Sequence, residues 1–205
     1  MNWRERLSQK RTASKMTVTR CPLDKLGGGW HMEPDQSAFC REDGKFHRLE
    51  GVMAHCPDRE VTDWDQPLFR EQGPGVLVLV TDGEFFLVTM SQEPGNPANK
   101  QYVLLGPPLQ ASRGNWEQAH GGKRPPRAEF NDDPRVAWAD GHKDGGRFIG
   151  SMNRMGVLRV PTLFNLQLLP NELVLSRHEL KLAFLGGEVN LHLREMIGFA
   201  LLLLD

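Results

Sequence analysis

Residues 92–123 hold most of the side chains whose types and spacing could do chemistry. The stretch carries a carboxylate at Glu93, an imidazole at His120 and an ammonium at Lys123, set among glycine, proline and asparagine. Turn residues that alternate with hydrogen-bonding side chains are typical of loops that carry function. Because imidazole titrates near neutral pH, His120 is a candidate general acid or base, with Glu93 as its partner. The alternatives are a structural hydrogen bond at His120 and an ordinary turn carboxylate at Glu93.

Three runs within this stretch resemble the signature of a known family. They are EPGN at 93–96, QASRGNW at 110–116 and HGGK at 120–123. They closely resemble the NDP-hexose 2,3-dehydratase family, in which Q-A-[ST]-R-S-N-Y and V-H-G-G-K follow EPGN. This sequence has Gly114 where Ser is usual and Trp116 where Tyr is usual. The second change bears on chemistry, since a phenol can donate a proton and an indole cannot do acid–base work.

Further segments resemble the same family in the same order. WDQP at 64–67 resembles its W-x-Q-P segment, and residues 146–155, which include Arg154, resemble G-S-R-F…N-R-N-M. GKFHRLEG at 44–51 resembles its Gly-Arg-Phe-Phe stretch, with a histidine in place of the second Phe. The resemblance covers residues 21–203.

Two histidines in the first quarter of the chain are further candidates. His47 is the residue that replaces the second Phe, and His31 lies upstream of it. Both could be site residues, or they could be solvated or hydrogen-bonded histidines at strand edges.

The resemblance implies a reaction, the loss of water across C2 and C3 of a nucleotide-linked 4-keto-6-deoxyhexose in deoxysugar and natural-product biosynthesis. A base would remove the C3 proton, which the neighbouring ketone makes acidic, and an acid would help the C2 hydroxyl to leave. No redox cofactor and no metal is expected, since the ketone itself acidifies the proton. The product would be an unstable 3,4-diketo sugar nucleotide, which implies a 3-ketoreductase as the next enzyme.

This chemistry suggests roles for particular side chains. His120, Glu93 and Lys123 are the expected catalytic residues. Arg113 presents a planar fork that suits two phosphate oxygens, and Trp116 could stack on a ring or pack in the core. The expected substrate-binding residues are Arg113, Lys100, Gln110, Ser112, Asn115, Trp116 and Arg154.

The predicted fold class is α+β, a mixed β-sheet flanked by helices. Residues 76–81 and 84–90 flank Asp-Gly, which predicts a hairpin with a type I′ turn, and the apolar run 76–80 indicates a strand buried on both faces. Residues 102–105 predict another strand, and residues 109–120 a loop with a helical turn. Residues 124–144 are expected to be irregular.

Near the end of the chain, helix signals are strong. Ser176 and Glu179 form a predicted capping box, glycines at 186–187 end that helix, and Asn190 can cap a last helix to residue 204. By resemblance the module is similar to Nudix hydrolases, but the last helix lacks the carboxylates of a Nudix box. Without them there is no magnesium cage, which argues against a Nudix-type phosphohydrolase.

The organisation of the chain follows from its length and charge. A chain of 205 residues is enough for one domain with a sizeable core. Residues 1–20 are basic, with Glu5 as their only acidic residue, and are expected to form a solvated, disordered tail before a single 2,3-dehydratase-like module at 21–205. Family members carry two similar modules, so the resemblance implies one module standing alone, paired as a homodimer.

Composition excludes several other classes of protein. A net charge of −1 gives no case for a nucleic-acid partner or an anionic membrane. The cysteines, Cys21, Cys40 and Cys56, form no CxxC pair, so a zinc ribbon is not expected. The apolar run 197–204 is too short to span a bilayer, and no secretory segment is found, so a reduced cytoplasmic protein is expected.

Two other functions stay open. A repurposed module could act as a dehydratase or cyclase on another natural-product intermediate. Trp116 and the Met90-Ser91 pair, where the family usually has Ala-Lys, favour that function. The third possibility is a non-catalytic binding subunit that partners a second module in trans.

Overall fold

The computed structural model describes residues 2–204. Met1, which begins the predicted tail, and Asp205, which ends the predicted module, lie outside the described residues. These residues form an α+β fold of two β-sheets and four α-helices, which confirms the predicted class. The helices are α1 (Trp3–Thr12), α2 (Arg113–Trp116), α3 (Arg177–Leu185) and α4 (Leu191–Leu204). The strands are β1 (Trp30–Met32), β2 (Ala38–Arg41), β3 (His47–His55), β4 (Asp63–Glu71), β5 (Gly75–Thr81), β6 (Phe85–Gln92), β7 (Val103–Gly106), β8 (Leu109–Ala111), β9 (Val136–His142), β10 (Met152–Arg159) and β11 (Glu172–Ser176).

The larger sheet has the order β11-β6-β5-β10-β9 and is mixed, because β5 and β10 run parallel while its other neighbours are antiparallel. β5 is buried on both faces, as its continuous apolar run predicts. Leu77 and Leu79 belong to one core cluster, and Val78 and Val80 to the other. Strand β9 lies within the stretch expected to be irregular, so that expectation was wrong there.

β5 and β6 form a hairpin that opens away from its turn. They pair only at Val80 with Leu87 and at Thr81 with Phe86. Beyond these pairs, β7 bonds to β6 and β8 bonds to β5, so the β7–β8 hairpin fills the gap between the two strands. This arrangement brings the loop after β6 and the segment after β8, both rich in candidate site residues, onto one part of the sheet.

The turn between β5 and β6 differs from the predicted type I′. That type needs positive φ at both central residues, but only Gly83 has it, at 103°. Asp82 instead accepts hydrogen bonds on its carboxylate from the backbone N–H of Glu84 and of Phe85. The side chain therefore stabilises a wider connection, and the hairpin is confirmed while its turn type was wrong.

The smaller sheet is an antiparallel meander in the order β1-β2-β3-β4. Its edge strand β4 is hydrogen-bonded to residues 147–149, which lie between β9 and β10 of the larger sheet. Phe69 exchanges backbone hydrogen bonds with Arg147 and Ile149, each 2.8 Å long. Gln66 adds a side-chain bond to the carbonyl of Gly146 at 3.0 Å. The edge of the smaller sheet is thereby covered, and a cleft is left where the two sheets meet.

Residues 3–12 correct the expectation of a disordered tail. They form α1, whose Trp3 and Leu7 are buried in the same core cluster as β7 and α4. Arg11 donates to the carbonyl of Val103 at 3.0 Å and pairs with Glu188 at 2.5 Å. Charge dominates the composition of this segment, but two large apolar side chains four residues apart are enough to anchor one helical turn.

The C-terminal helices begin and end as predicted. The hydroxyl of Ser176 accepts the N–H of Glu179, and Asn190 Oδ1 accepts the N–H of Leu193 at 2.9 Å. Gly187 follows α3 with φ of 66°, a conformation that favours glycine. Across residues 2–204, no helix combines the length and apolar character that crossing a membrane would require.

Candidate active site

The EPGN turn closes the connection from β6 to β7. Asn96 donates its backbone N–H to the carbonyl of Glu93 at 3.1 Å, and its side chain donates to the carbonyl of Tyr102 at 3.0 Å. Gln101 and Tyr102 both adopt left-handed backbone angles, with φ of 51° and 61°. The loop is thus folded back on itself, which fixes the position of Glu93 at its start.

Glu93 is the centre of a hydrogen-bonded row of side chains. Ser91 donates to its Oε1 at 2.6 Å, and the amide of Gln110 donates to the same oxygen. Asn190 in turn donates to Gln110 Oε1 at 2.8 Å. We call Ser91, Glu93, Gln110 and Asn190 the Glu93 cluster. It joins β6, β8 and the start of α4, so three separate parts of the chain hold one carboxylate.

Gly106 lets the Glu93 cluster pack tightly against the sheet. A Cβ atom at this position would lie 2.9 Å from Asn190 Nδ2 and 3.2 Å from Gln110 Oε1. Both distances are shorter than ordinary contacts, so a side chain here would displace the row. The glycine at the end of β7 is therefore a requirement of the cluster.

Ser112 and Gly114 start and shape the short helix α2. Ser112 Oγ accepts the N–H of Asn115 at 3.3 Å, as an N-cap residue does. Gly114 is buried, and a Cβ there would lie 3.1 Å from the ring of Phe46. A side chain at this position would therefore require the ring of Phe46 to move.

Arg113 reaches the cleft between the two sheets. Its Nε donates to Glu117 at 2.7 Å and its Nη1 to the carbonyl of Gln72 at 3.3 Å. Gly73 makes room for it, since a Cβ there would lie 3.2 Å from Arg113 Cδ. The hydrogen bond from Arg113 lowers the pKa of Glu117 below its usual range. The guanidinium of Arg113, which is predicted to bind phosphate, is therefore hydrogen-bonded to a carboxylate in this structure.

The intersheet cleft is lined by Lys45, His47, Glu71, Ser112, Arg113 and Glu117. It is narrow, with room for about one water molecule. A ligand larger than a water molecule would therefore lie across its mouth.

Three hydrogen-bonded side chains lie at one side of the intersheet cleft. His47 Nε2 lies 2.8 Å from Glu71, and the ammonium of Lys143 donates to both Glu71 oxygens at 2.6 Å. The Glu71 side chain is only 9% exposed. Burial raises the pKa of Glu71, but the hydrogen bonds from His47 and Lys143 outweigh burial and hold the pKa below its usual range.

His120 and Lys123 lie on an exposed turn after α2. His120 Nδ1 accepts the N–H of Gly122 at 2.7 Å, and Gln118 closes the turn by donating to the carbonyl of Gly122 at 2.8 Å. The predicted pair of His120 with Glu93 is not formed, because each has the other partners described above. The hydrogen bond to Gly122 is the kind of structural contact weighed for His120, while its role as an acid or base stays a prediction. Because Nδ1 accepts, the N–H of the neutral ring is on Nε2.

Lys100 has structural partners. Its ammonium donates to the carbonyl of Gly187 at 2.6 Å and lies 3.1 Å from Glu188, which Arg11 also binds. Burial raises the pKa of Glu188, but the hydrogen bonds from Arg11 and Lys100 lower this pKa by more than burial raises it. The pKa of Glu188 is therefore below its usual range. Lys100 therefore ties the loop after β6 to the connection between α3 and α4.

Trp116 and Arg154 each pack on another side chain. Trp116 is half-buried against the core cluster of Phe130, and the guanidinium of Arg124 lies 4.9 Å from its ring centre. The ring therefore makes packing contacts, while stacking on a substrate ring stays a prediction. The guanidinium of Arg154 lies 3.8 Å from the ring centre of Trp138. Both residues are placed by aromatic contacts.

The structure thus brings some of the predicted residues together and separates others. Glu93 meets Gln110, and Ser112 adjoins Arg113 at the cleft. The candidates with partners elsewhere are His120, Lys100, Trp116 and Arg154. Sequence reasoning missed several partners: Ser91, Asn190, Lys45, Glu71, Glu117 and Lys143. Ser91 could have been found, because alternate residues of a strand share a face. Lys143 could not, since 72 positions separate it from Glu71.

Among residues 2–204, no group of three or more His, Cys, Asp or Glu side chains is arranged to hold a metal ion. Cys21 is exposed, Cys40 is buried and Cys56 is intermediate, and all three are free thiols.

Comparison with known proteins places this geometry in a family. The family model described as NDP-hexose 2,3-dehydratase matches residues 2–199. A dTDP-4-dehydro-6-deoxy-alpha-D-glucopyranose 2,3-dehydratase of Streptomyces violaceoruber is 33% identical over 147 residues, which cover 68% of this chain and 32% of the relative. Relatives with the same name from Saccharopolyspora spinosa and Amycolatopsis orientalis are 26% and 33% identical over 125 residues, covering 60% and 57% of this chain and 26% of each relative.

These matches have two consequences. The chain spans about a third or less of the length of the curated relatives that it matches. The family model, in contrast, covers nearly all of this chain and includes α1, the Glu93 cluster and the intersheet cleft. The chain therefore belongs to the NDP-hexose 2,3-dehydratase family.

Proposed function

We propose that the chain acts as a sugar-nucleotide dehydratase, a hydro-lyase that removes water across C2 and C3 of an NDP-4-keto-6-deoxyhexose. The observation that carries the proposal is that two family motifs meet at one carboxylate. Glu93 of EPGN accepts a hydrogen bond from Gln110 of QASR, and both lie within the family match. Because the curated relatives are named for a dTDP-linked substrate, a dTDP-4-keto-6-deoxyhexose is the first compound to test.

The reaction needs a proton acceptor, a proton donor and a group that stabilises negative charge. The C3–H bond breaks, and its electron pair forms the enolate of the C4 ketone. The ketone then re-forms as the C2–C3 double bond forms and the C2 hydroxyl leaves as water, with a proton from the donor. The resulting enol becomes the 3,4-diketo sugar, which a 3-ketoreductase would consume next.

His120, Glu93 and Lys123 are the proposed catalytic residues. Nε2 is the nitrogen of His120 that is open to a substrate, because Nδ1 accepts from Gly122. A proton that the ring takes up before the reaction would make it an imidazolium, which could donate from Nε2 to the leaving hydroxyl. Glu93 Oε1 already accepts two hydrogen bonds, which leaves Oε2 as the oxygen that would contact the sugar. Lys123 is exposed on the same turn as His120 and would stabilise the enolate oxygen.

Arg113 is the proposed anchor for the diphosphate, at the mouth of the intersheet cleft. It would exchange its hydrogen bond with Glu117 for phosphate oxygens, which its planar fork can bind in pairs. Gln110, Ser112 and Asn115 are proposed to bind sugar hydroxyls or the diphosphate. The other proposed contacts, which would have to leave or share partners described above, are Lys100, Trp116 and Arg154.

The assembly and setting of the protein are part of the same proposal. Two copies would pair as a homodimer, since a two-fold dimer is the commonest arrangement of identical chains. The proposed setting is the cytoplasm, where a reduced state suits three free cysteines. A Nudix-like architecture is proposed from the family resemblance, with the mixed sheet as support.

A repurposed module is the second candidate function, and Ser91 favours it. The family usually has Lys at this position, and here a hydroxyl contacts Glu93. The cation that the family would supply at that position is missing. A pocket with less positive charge suits a dehydratase or cyclase that acts on an uncharged natural-product intermediate, or a binding subunit without catalysis.

Calorimetric titration with dTDP separates these functions. Micromolar binding would support the sugar-nucleotide function, because the diphosphate and the base are the parts that all such substrates share. No heat of binding at millimolar dTDP would contradict it and would direct the search to uncharged intermediates.

A further inference from the structure

His47 is a candidate acid–base group that the family motifs do not explain. It stands where the family pattern has a Phe, and it lines the intersheet cleft together with Arg113. Its ring packs against two aromatic side chains, with centre distances of 5.8 Å to Phe69 and 6.4 Å to Phe148. A histidine at a cleft mouth with a fixed ring plane is positioned for proton transfer.

The hydrogen bonds of His47 determine which nitrogen can accept a proton. Glu71 is ionised and buried, so it can only accept, and the N–H directed at it must be on His47 Nε2. The lone pair of the neutral ring is then on Nδ1, for which residues 2–204 supply no hydrogen-bond partner. His120 has the opposite tautomer, with its lone pair occupied by Gly122.

The charges around His47 favour this orientation. Lys143 binds both Glu71 oxygens from the other side and keeps the carboxylate in place. At the cleft, Arg113 donates to the carbonyl of Gln72, the residue that follows Glu71. Because Arg113 and His47 line the same cleft, a diphosphate held by Arg113 would leave its sugar at the cleft mouth near His47.

We propose that His47 is the base that removes the C3 proton of the sugar, with Glu71 and Lys143 as positioning residues. The proton passes from C3 to His47 Nδ1, and the electron pair of the broken C–H bond forms the enolate. As the C2–C3 double bond forms and the C2–O bond breaks, the imidazolium form of His120 supplies the proton with which the C2 hydroxyl leaves as water. The inference rests on the proposed function, because it assigns a step of that reaction.

A variant that keeps the bond to Glu71 provides the test. In His47→Gln the side-chain amide can still donate to Glu71, but no nitrogen can accept a proton. The matched control is His55→Gln, since His55 lies at the far end of the same strand and pairs with the carboxylate of Asp63 at 2.6 Å. Both variants remove one histidine from one His–carboxylate pair of the smaller sheet.

The measurement is exchange of the C3 proton of a dTDP-4-keto-6-deoxyhexose in D2O, followed by NMR, together with release of water. His47→Gln is expected to lose about 100-fold or more in both rates, as removal of a general base does, while dTDP affinity stays within about threefold. His55→Gln is expected to match the wild type. Exchange by His47→Gln within about threefold of the wild type would overturn the proposal.

Two further outcomes would be interpreted differently, a destabilised variant and an inactive wild type. If His47→Gln has a lowered melting temperature, added imidazole in His47→Ala becomes the deciding measurement: restored exchange supports a base, and none overturns it. If the wild type neither exchanges C3 nor releases water from any NDP-4-keto sugar, the proposed function itself fails, and the role of His47 fails with it.

Discussion

Single residues at this site have ion-pair partners that compete with a ligand. Arg113 is the clearest case, because the fork that would bind a diphosphate already donates to Glu117. Lys45 lies 3.8 Å from the same carboxylate, so two cations share one anion. Binding of a diphosphate would then be an exchange of one anion for another, and its affinity would depend on Glu117 as well as on Arg113.

Arg113→Ala is expected to weaken dTDP binding about tenfold, the size of an exposed charge-assisted hydrogen bond. Glu117→Gln is expected to strengthen it by about two- to fivefold, since the competing anion is removed. Arg135→Ala is the control, because Arg135 is as exposed as Arg113 and also pairs with a nearby carboxylate. Calorimetry measures all three, and an unchanged affinity in Arg113→Ala would exclude Arg113 as the diphosphate anchor.

At the scale of single residues, the sequence predicted which side chains belong to the candidate site better than it predicted which side chains they contact. Gln110 and Glu93 were both identified from motifs, and the structure joins them. The pairing of His120 with Glu93 was wrong, since the glycine-rich turn supplies a backbone N–H to His120 from two residues away. Local hydrogen bonds of this kind depend on backbone angles, which residue types alone do not determine.

Among the elements, strands and C-terminal helices were predictable because their signals are local. The apolar run of β5 and the capping box at Ser176 are read from neighbouring residues, and both are confirmed. α1 was missed because its anchoring contacts, from Trp3 to the core and from Arg11 to Glu188, are made with residues far along the chain. Tertiary packing, not composition, decides the structure of such a segment.

Removal of the anchor of α1 is expected to destabilise the whole protein. Trp3 is 7% exposed, so Trp3→Ala should cost about 3 kcal/mol through lost burial and a cavity. Ser8→Ala, on the exposed side of the same helix, should cost less than about 0.5 kcal/mol. Urea unfolding gives both values. Equal stability of Trp3→Ala and the wild type would mean that α1 does not pack as described.

The charged link between the two sheets is expected to make stability depend on pH. The pKa of Glu71 is held below its usual range by His47 and Lys143, so the folded protein keeps this carboxylate ionised in more acid than the unfolded chain does. The stabilisation is therefore present in full above about pH 4.5 and is lost as the pH falls through the depressed folded-state value.

Urea unfolding between pH 7 and pH 3 measures this effect. The free energy of unfolding of Glu71→Gln should be about 2 kcal/mol below that of the wild type at neutral pH, because Lys143 is left without its buried carboxylate. This difference from the wild type should disappear in acid. Glu84→Gln, at an exposed glutamate, is the control. A difference between Glu71→Gln and the wild type that stays constant with pH would contradict the assignment.

The chain as a whole spans about a third or less of the length of the curated relatives that it matches. If two copies pair as the proposed homodimer, the protein should sediment at about twice the 23.2 kDa of a single chain. Sedimentation velocity at several concentrations tests this. The mass of one chain at every concentration would contradict the homodimer.

Across the molecule, the family was predictable from motifs, whereas the cleft was not. The runs at 93–96 and 110–116 identify the family because their order and residue types are specific. The cleft arises where two sheets meet, and its walls come from β3, β4 and the segment after β8. Residues that are adjacent only after the sheets have packed leave no spacing pattern in the sequence.

The central claim is that this module expels water from a sugar nucleotide, and direct detection of the product tests it best. The purified protein would be incubated with dTDP-4-keto-6-deoxyglucose and a 3-ketoreductase, which traps the unstable diketone, and the products separated by mass. We expect the reduced product that has lost one water, absent with His120→Ala, although that variant should still bind dTDP. Unchanged substrate with the wild type, despite micromolar dTDP binding, would contradict the claim.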